Sequence, residues 1–210
     1  MKITIISDTH GKHYELVDMP EGDMIIHAGD ISSLGRVSEV IMFLDWFTKL
    51  PYKHKIFISG NHDFLFQVQP IYATALVKEY PGINYLENSS VEIDGIKIFG
   101  SPITPTFYNW AFMCDRDKIK PFWDAIPDDT DILITHGPPQ GILDITKMTE
   151  ENVGCEELLK RVENIKPRFH IFGHIHSASG IHKTEHTTFI NASVLDDHYK
   201  LKYEPRRITI

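Results

Sequence analysis

Short apolar runs that end in polar residues recur along the chain. Lys2 to Ser7 leads into Asp8, and Met24 to Ala28 leads into Gly29-Asp30, as expected of parallel strands buried on both faces with a carboxylate at each C-terminal end. Between Gly35 and Leu50 the apolar positions Val37, Val40, Ile41, Leu44, Phe47 and Leu50 recur at helical spacing and stop before Pro51, which predicts a crossover helix. Lys55 to Ser59 reads as the next strand and runs into Gly60-Asn61-His62-Asp63. This βαβ alternation predicts an α/β fold.

The second half repeats the theme with turns between. Asp94-Gly95, flanked by alternating residues, predicts a hairpin over Val91 to Gly100. A helix is expected within Asp117 to Ala125, and Asp131 to Thr135 reads as a buried strand delivering His136-Gly137-Pro138-Pro139. Gly154 to Ile165 has helical spacing, and Phe169 to Phe172 reads as a strand emptying into Gly173-His174-Ile175-His176. From Ile181 onward antiparallel strands are expected, and the proline-rich patch Ser101 to Pro105 reads as an ordered loop. The chain shows no internal repeat and no low-complexity linker.

A length of 210 residues with 42% hydrophobic residues suits one domain over residues 1–210. The first apolar run is too short for a secretory core or a membrane span, so a cytoplasmic protein with no membrane partner is expected. Cys114 and Cys155 lack metal or redox spacing and are expected to pack as ordinary side chains. A net charge of −8 argues against extended nucleic-acid binding, which needs clustered Lys and Arg, but not against a small anionic substrate. Twelve histidines beside two cysteines suit nitrogen and oxygen metal sites better than thiolate ones.

Five segments place polar residues just after strands: Asp8-Thr9-His10, Gly29-Asp30, Asn61-His62-Asp63, His136 and His174-Ile175-His176. In open α/β sheets ligands bind outside the carboxyl ends of the strands, so these segments are expected to meet at one edge. The Asp8/His10 and His174/His176 spacings would set both side chains on one side of an extended segment. The donor set of carboxylate, imidazole and one amide suits Mn, Fe or Zn, and its size suits two divalent ions with an activated water between them.

The ordered motifs D-x-H, G-D, G-N-H-D, H and G-H-x-H resemble the calcineurin-like metallophosphoesterase superfamily. The stretches His27-Ala28-Gly29-Asp30, Asn109-Trp110-Ala111-Phe112, Asp131 to Pro139 and Asn191-Ala192-Ser193 resemble its metallophosphoesterase-domain branch, close to class III cyclic-nucleotide phosphodiesterases. The resemblance implies a four-layer α/β/β/α sandwich with two mixed sheets and the metal site at the strand C-terminal edge. It implies that Asp8, His10, Asp30 and His176 hold one ion and Asp30, Asn61, His136 and His174 the other, with His62 contacting the phosphate. One departure is the sequence Ile31-Ser32-Ser33 after Gly29-Asp30, which lacks the acidic and arginine residues of calcineurin-type phosphatases, so protein-phosphatase activity is not carried over.

Other residues carry weaker signals. His27, inside an apolar run, suits a core histidine or a partner of a metal ligand equally; Asp63 suits a residue that orients His62 or the loop, or a cap of the following turn. Phe107, Tyr108 and Trp110 could stack a nucleobase, though packing is the commoner role, and Arg116, Arg161 and Arg168 are expected to be solvated. The expected activity is metal-dependent hydrolysis of a small phosphate ester, in the first place a phosphodiester, cyclic nucleotides among the candidates. A nuclease and a non-catalytic scaffold are the alternatives, and a homodimer is left open.

Overall fold

The computed structural model describes residues 1–147 and 149–210. Its first half comprises β1 (Lys2–Ile6), β2 (Met24–His27), α1 (Val37–Lys49), β3 (His54–Phe57), α2 (Phe64–Val68), α3 (Pro70–Lys78) and β4 (Ile83–Tyr85). Next come β5 (Ser89–Ile93), β6 (Ile96–Ser101), β7 (Thr104–Pro105), β8 (Met113–Cys114), α4 (Lys120–Asp124), β9 (Ile132–Thr135) and α5 (Glu156–Ile165). The chain closes with β10 (Phe169–Phe172), β11 (Gly180–Lys183), β12 (Thr188–Asn191) and β13 (Arg206–Thr209).

Two mixed sheets result, one ordered β13-β1-β2-β3-β4 and the other β11-β12-β10-β9-β6-β5. In the first, β1 to β4 run parallel and β13 closes the edge antiparallel to β1. In the second, β6, β9, β10 and β12 are parallel, with β5 and β11 antiparallel at the two edges. The antiparallel strands expected from Ile181 onward are present, β11 against β12 and β13 against β1; β12 also pairs parallel with β10, because the reversal between β11 and β12 turns the chain back into the direction of β10.

Alternation within each strand explains the layers. Ile3, Ile5, Ile26, Ile56, Ile132, Ile134, Ile171 and Ile190 join one buried cluster in which both sheets take part. Their neighbours Ile25, Phe57, Leu133, Phe172 and Phe189 join a second cluster with residues of the helices. Successive side chains of a strand point to opposite faces, so the first cluster lies between the sheets and the second under the helices. This is the α/β/β/α arrangement expected from the resemblance.

Local chemistry sets the element ends. At the start of α1 the Glu39 carboxylate accepts the N–H groups of Ser33 and Arg36 at 3.1 and 2.9 Å, satisfying donors that no helical carbonyl reaches. Residues 64–85 form two short helices and a strand that the sequence reading did not assign; Pro70 starts α3 and breaks the helical period between it and α2. Among the described residues no helix is long and apolar enough to cross a membrane.

Arg116 and Arg168 are exposed, as expected, whereas the Arg161 side chain is only 14% exposed, and both Arg116 and Arg161 have partners. Arg116 donates to the carbonyls of Val153 and Gly154, and Arg161 to that of Ile126 and to Asp128. Each guanidinium supplies donors to loop carbonyls that no strand or helix pairs, a need invisible in local sequence.

Candidate metal centre

The five polar segments converge at the C-terminal ends of β1, β2, β3, β9 and β10. Asp8, Asp30, Asn61 and His136 are almost wholly buried there, and His10 and His176 nearly so. The ligand atoms of Asp8, His10 and His176 lie within 4.8 Å of one another, as do those of Asp30, His136 and His174. A third such group, His10, Asp30 and His62, joins the two.

The segments are not extended, contrary to the expectation from the two-residue spacings. Asp8, His10, Asp30 and His174 have φ of 56°, 44°, 55° and 67°. Left-handed backbone is costly for residues with a Cβ, and each such residue turns the chain out of the extended course of the strand before it. Glycines permit the crowding. A Cβ on Gly60 would lie 2.3 Å from Asp30 Oδ1, and one on Gly173 2.0 Å from Asp8 Oδ2.

Three imidazoles are aimed in the same way. Nδ1–H of His136 donates to the Ala28 carbonyl at 3.0 Å, that of His176 to Asp196 at 3.0 Å, and that of His62 to Ser33 at 2.7 Å. A tether at Nδ1 turns Nε2 toward the site. His136 Nε2 then lies 2.9 Å from Asn61 Oδ1 and 3.3 Å from Asp30 Oδ2, and His176 Nε2 lies 3.2 Å from His10 Nε2.

The carboxylates are held as firmly. Ser193 Oγ donates to Asp8 Oδ2 at 2.7 Å and the His174 N–H reaches both Asp8 oxygens at 3.0 Å, while the His62 N–H donates to Asp30 Oδ1 at 2.8 Å. Asp63 braces two loops at once: its oxygens accept the N–H groups of Ile31, Ser32 and Gly60 and the Ser32 hydroxyl. His27 bonds the hydroxyl of Thr9, between Asp8 and His10, at 2.9 Å, so it supports the first loop.

Burial opposes ionisation of Asp8 and Asp30, yet neighbouring imidazoles hold both carboxyls well below their ordinary value, chiefly His176 for Asp8 and His136 for Asp30. Burial likewise disfavours charge on His136 and His176, and the same carboxylates overcome it and lift each to about 9. Burial and the Asp30 charge push Asp63 up to about 7. The ionic partners of Asp8 and Asp30 among the described residues are all histidines, with no lysine or arginine. Two buried carboxylates ringed by imidazole nitrogens at near-contact distance form a donor set that fits divalent cations, which would replace the protons the histidines otherwise carry.

The aromatic residues divide. The Trp110 ring lies 4.3 Å from that of His62, as packing would have it. Phe107 and Tyr108, also expected to pack, are 37% and 78% exposed, with Phe107 5.1 Å from His174. They sit on a loop that leaves β7 at the rim of the site, where no layer covers them. The structure adds Tyr199, whose ring neighbours His10 at 4.8 Å. No periodicity marks it, and it falls outside every motif.

The family pattern described as calcineurin-like phosphoesterase matches residues 1–178. Human metallophosphoesterase domain-containing protein 1 is 39% identical over 223 residues, covering 95% of this chain and 68% of the human one. A UPF0046 protein of Caenorhabditis elegans is 37% identical over 217 residues, covering 98% of this chain and 73% of its own. Among solved structures, the protein TT1561 of Thermus thermophilus has a TM-score of 0.64 over 96% of each chain at 13% identity, a likeness of fold.

Proposed function

Because the chain belongs to the calcineurin-like phosphoesterase family, whose members are metal-dependent hydrolases of phosphoester bonds, we propose that it cleaves a small phosphodiester at a centre of two divalent ions. Cyclic nucleotides are among the candidate substrates, and Mn, Fe or Zn the candidate metals. The observation that carries this reading is the pair of ligand groups on either side of Asp30. On this reading Asp8, His10, Asp30 and His176 would hold one ion, and Asp30, Asn61, His136 and His174 the other.

Two bound cations would bring the pKa of a water in the site toward neutrality and offset charge developing on the phosphoryl oxygens. The chain's own residues do the rest. Asp30 spans the two ligand groups, and its Oδ1 is oriented by the His62 N–H. Ser193 and the His174 N–H fix both oxygens of Asp8, so neither carboxylate needs to reorganise during turnover. His62 keeps Nδ1 on the Ser33 carbonyl and faces the site with Nε2, where it can donate to a phosphoryl oxygen and pass a proton to the leaving oxygen. The net charge of −8 disfavours long nucleic acids as substrates and is consistent with a small one.

The test is hydrolysis of bis(p-nitrophenyl) phosphate and p-nitrophenyl phosphate by chelated protein before and after Mn²⁺ is restored. Cleavage of the diester that returns with metal, and is abolished in Asp30→Ala and Asn61→Ala variants that stay folded, is the expected result. Loss of neither activity nor metal in those variants would refute the site, and failure to cleave either ester with Mn²⁺, Fe²⁺ or Zn²⁺ would refute the function.

A further inference from the structure

The turn between Leu195 and Leu201 places at the mouth of the site a tyrosine that the ligand groups do not use. The Tyr199 ring stands edge-on to His10 at 4.8 Å and to His176 at 5.4 Å, and its centre lies 6.5 Å from that of His62. It therefore borders the space a phosphate must enter to meet the ligand groups and His62 together. The residue is 43% exposed, and among the described residues its hydroxyl has no hydrogen-bond partner.

The ring is held there by the backbone. Tyr199 has φ of 56°, a left-handed conformation that costs energy for a residue with a Cβ. Its N–H donates to the Asp196 carbonyl at 2.8 Å, and the Asp196 carboxylate accepts the N–H groups of His198 and Lys200 at 2.9 and 3.1 Å. Lys12, two residues beyond His10, donates to the Tyr199 carbonyl. The Asp196 carbonyl also takes Nδ1–H of His176, so the turn that carries the tyrosine is the one that aims a ligand imidazole.

We infer that Tyr199 is a substrate-contacting residue whose O–H donates to a non-bridging phosphoryl oxygen on the Asp8, His10 and His176 side of the site. The inference rests on the phosphoesterase reading and adds a specific donor to it. Among the described residues no lysine or arginine pairs with the cluster's carboxylates, so a phenol beside the histidines would add a neutral donor for a phosphate to that of His62. If the ring served only to pack against the histidines, phenylalanine would replace it without effect.

The experiment compares wild-type protein with Tyr199→Phe and Tyr199→Leu, all loaded with Mn²⁺, in calorimetric titration with inorganic phosphate and in hydrolysis of bis(p-nitrophenyl) phosphate. Loss of one hydrogen bond should weaken phosphate binding about tenfold in Tyr199→Phe, with bound metal unchanged and kcat/KM reduced at least as much. Wild-type phosphate affinity in Tyr199→Phe would overturn the inference, including the case where only Tyr199→Leu is impaired, and would leave the phosphoesterase reading intact. Phosphate binding that depends on the hydroxyl in a protein that cleaves no ester would sustain the inference and refute the activity. Absence of phosphate binding by the wild type would overturn both.

Discussion

At the scale of single residues, the site is a set of side chains with one free end. His62, His136 and His176 are each tied at Nδ1 to a backbone carbonyl, leaving Nε2 for chemistry. Asp63 does the corresponding work for the backbone, accepting four donors from the loops that carry Asp30 and Asn61. Asp63→Ala strands those buried donors, and at roughly 1 kcal/mol each the expected loss is about 3–5 kcal/mol in denaturant unfolding. Metal binding should weaken with it; a loss under about 1 kcal/mol would show that water or loop movement replaces the carboxylate. Asp8, His10, Asp30, Asn61, His62, His136, His174 and His176 were all legible in the sequence, because each follows an apolar run and the set recurs in a known order. Ser193 against Asp8 and Tyr199 against His10 were not, since nothing local says that a residue near the end of the chain folds over its beginning.

At the scale of elements, strand ends decide where chemistry goes. Gly173 directly follows β10, and a Cβ there would fall 2.0 Å from Asp8 Oδ2 and 2.2 Å from Ser7 Oγ, both just beyond β1. Gly173→Ala is thus expected to push Asp8 from its place and cut metal-dependent activity by a hundredfold or more, with a near-native circular dichroism spectrum. Full activity in that variant would mean that the two strand ends can separate without harm. The strands carrying the site were readable because runs such as Met24–His27 and Ile132–Thr135 are buried on both faces and consist largely of apolar residues. Helix α1 was readable from its period. The stretch from α2 to β4 was not, because two short helices meet at Pro70 and the three-residue β4 is only half-buried, so neither period runs long enough to register. The turns after β1 and β10 were misread as extended for a related reason: two-residue spacing says nothing of φ, and Asp8, His10 and His174 lie in the left-handed region.

At the scale of the whole molecule, the centre bridges the two sheets. Asp8, Asp30 and Asn61 follow strands of the first sheet, and His136, His174 and His176 follow strands of the second. A cation shared between them binds only when both sheets are folded and stacked, so metal binding should appear as stability. Mn²⁺ at a hundred times its Kd is worth about 2.7 kcal/mol per site. Chelated protein should therefore melt several degrees lower than Mn²⁺-loaded protein, and the midpoint should rise with metal concentration; a melting temperature indifferent to metal would mean that the sheets are not joined through it. The α/β class was legible from alternating strands and helices and the four layers from the family resemblance, whereas the order of strands within each sheet depends on long-range pairing that local pattern does not encode.

The central claim, two ions held on either side of Asp30, is tested most directly by counting metal. Protein stripped with chelator, dialysed against Mn²⁺ and analysed by elemental analysis should carry two Mn²⁺ per chain, and Asp30→Ala at most one. A wild-type chain that retains no metal, or an Asp30→Ala variant that retains two, would contradict the account.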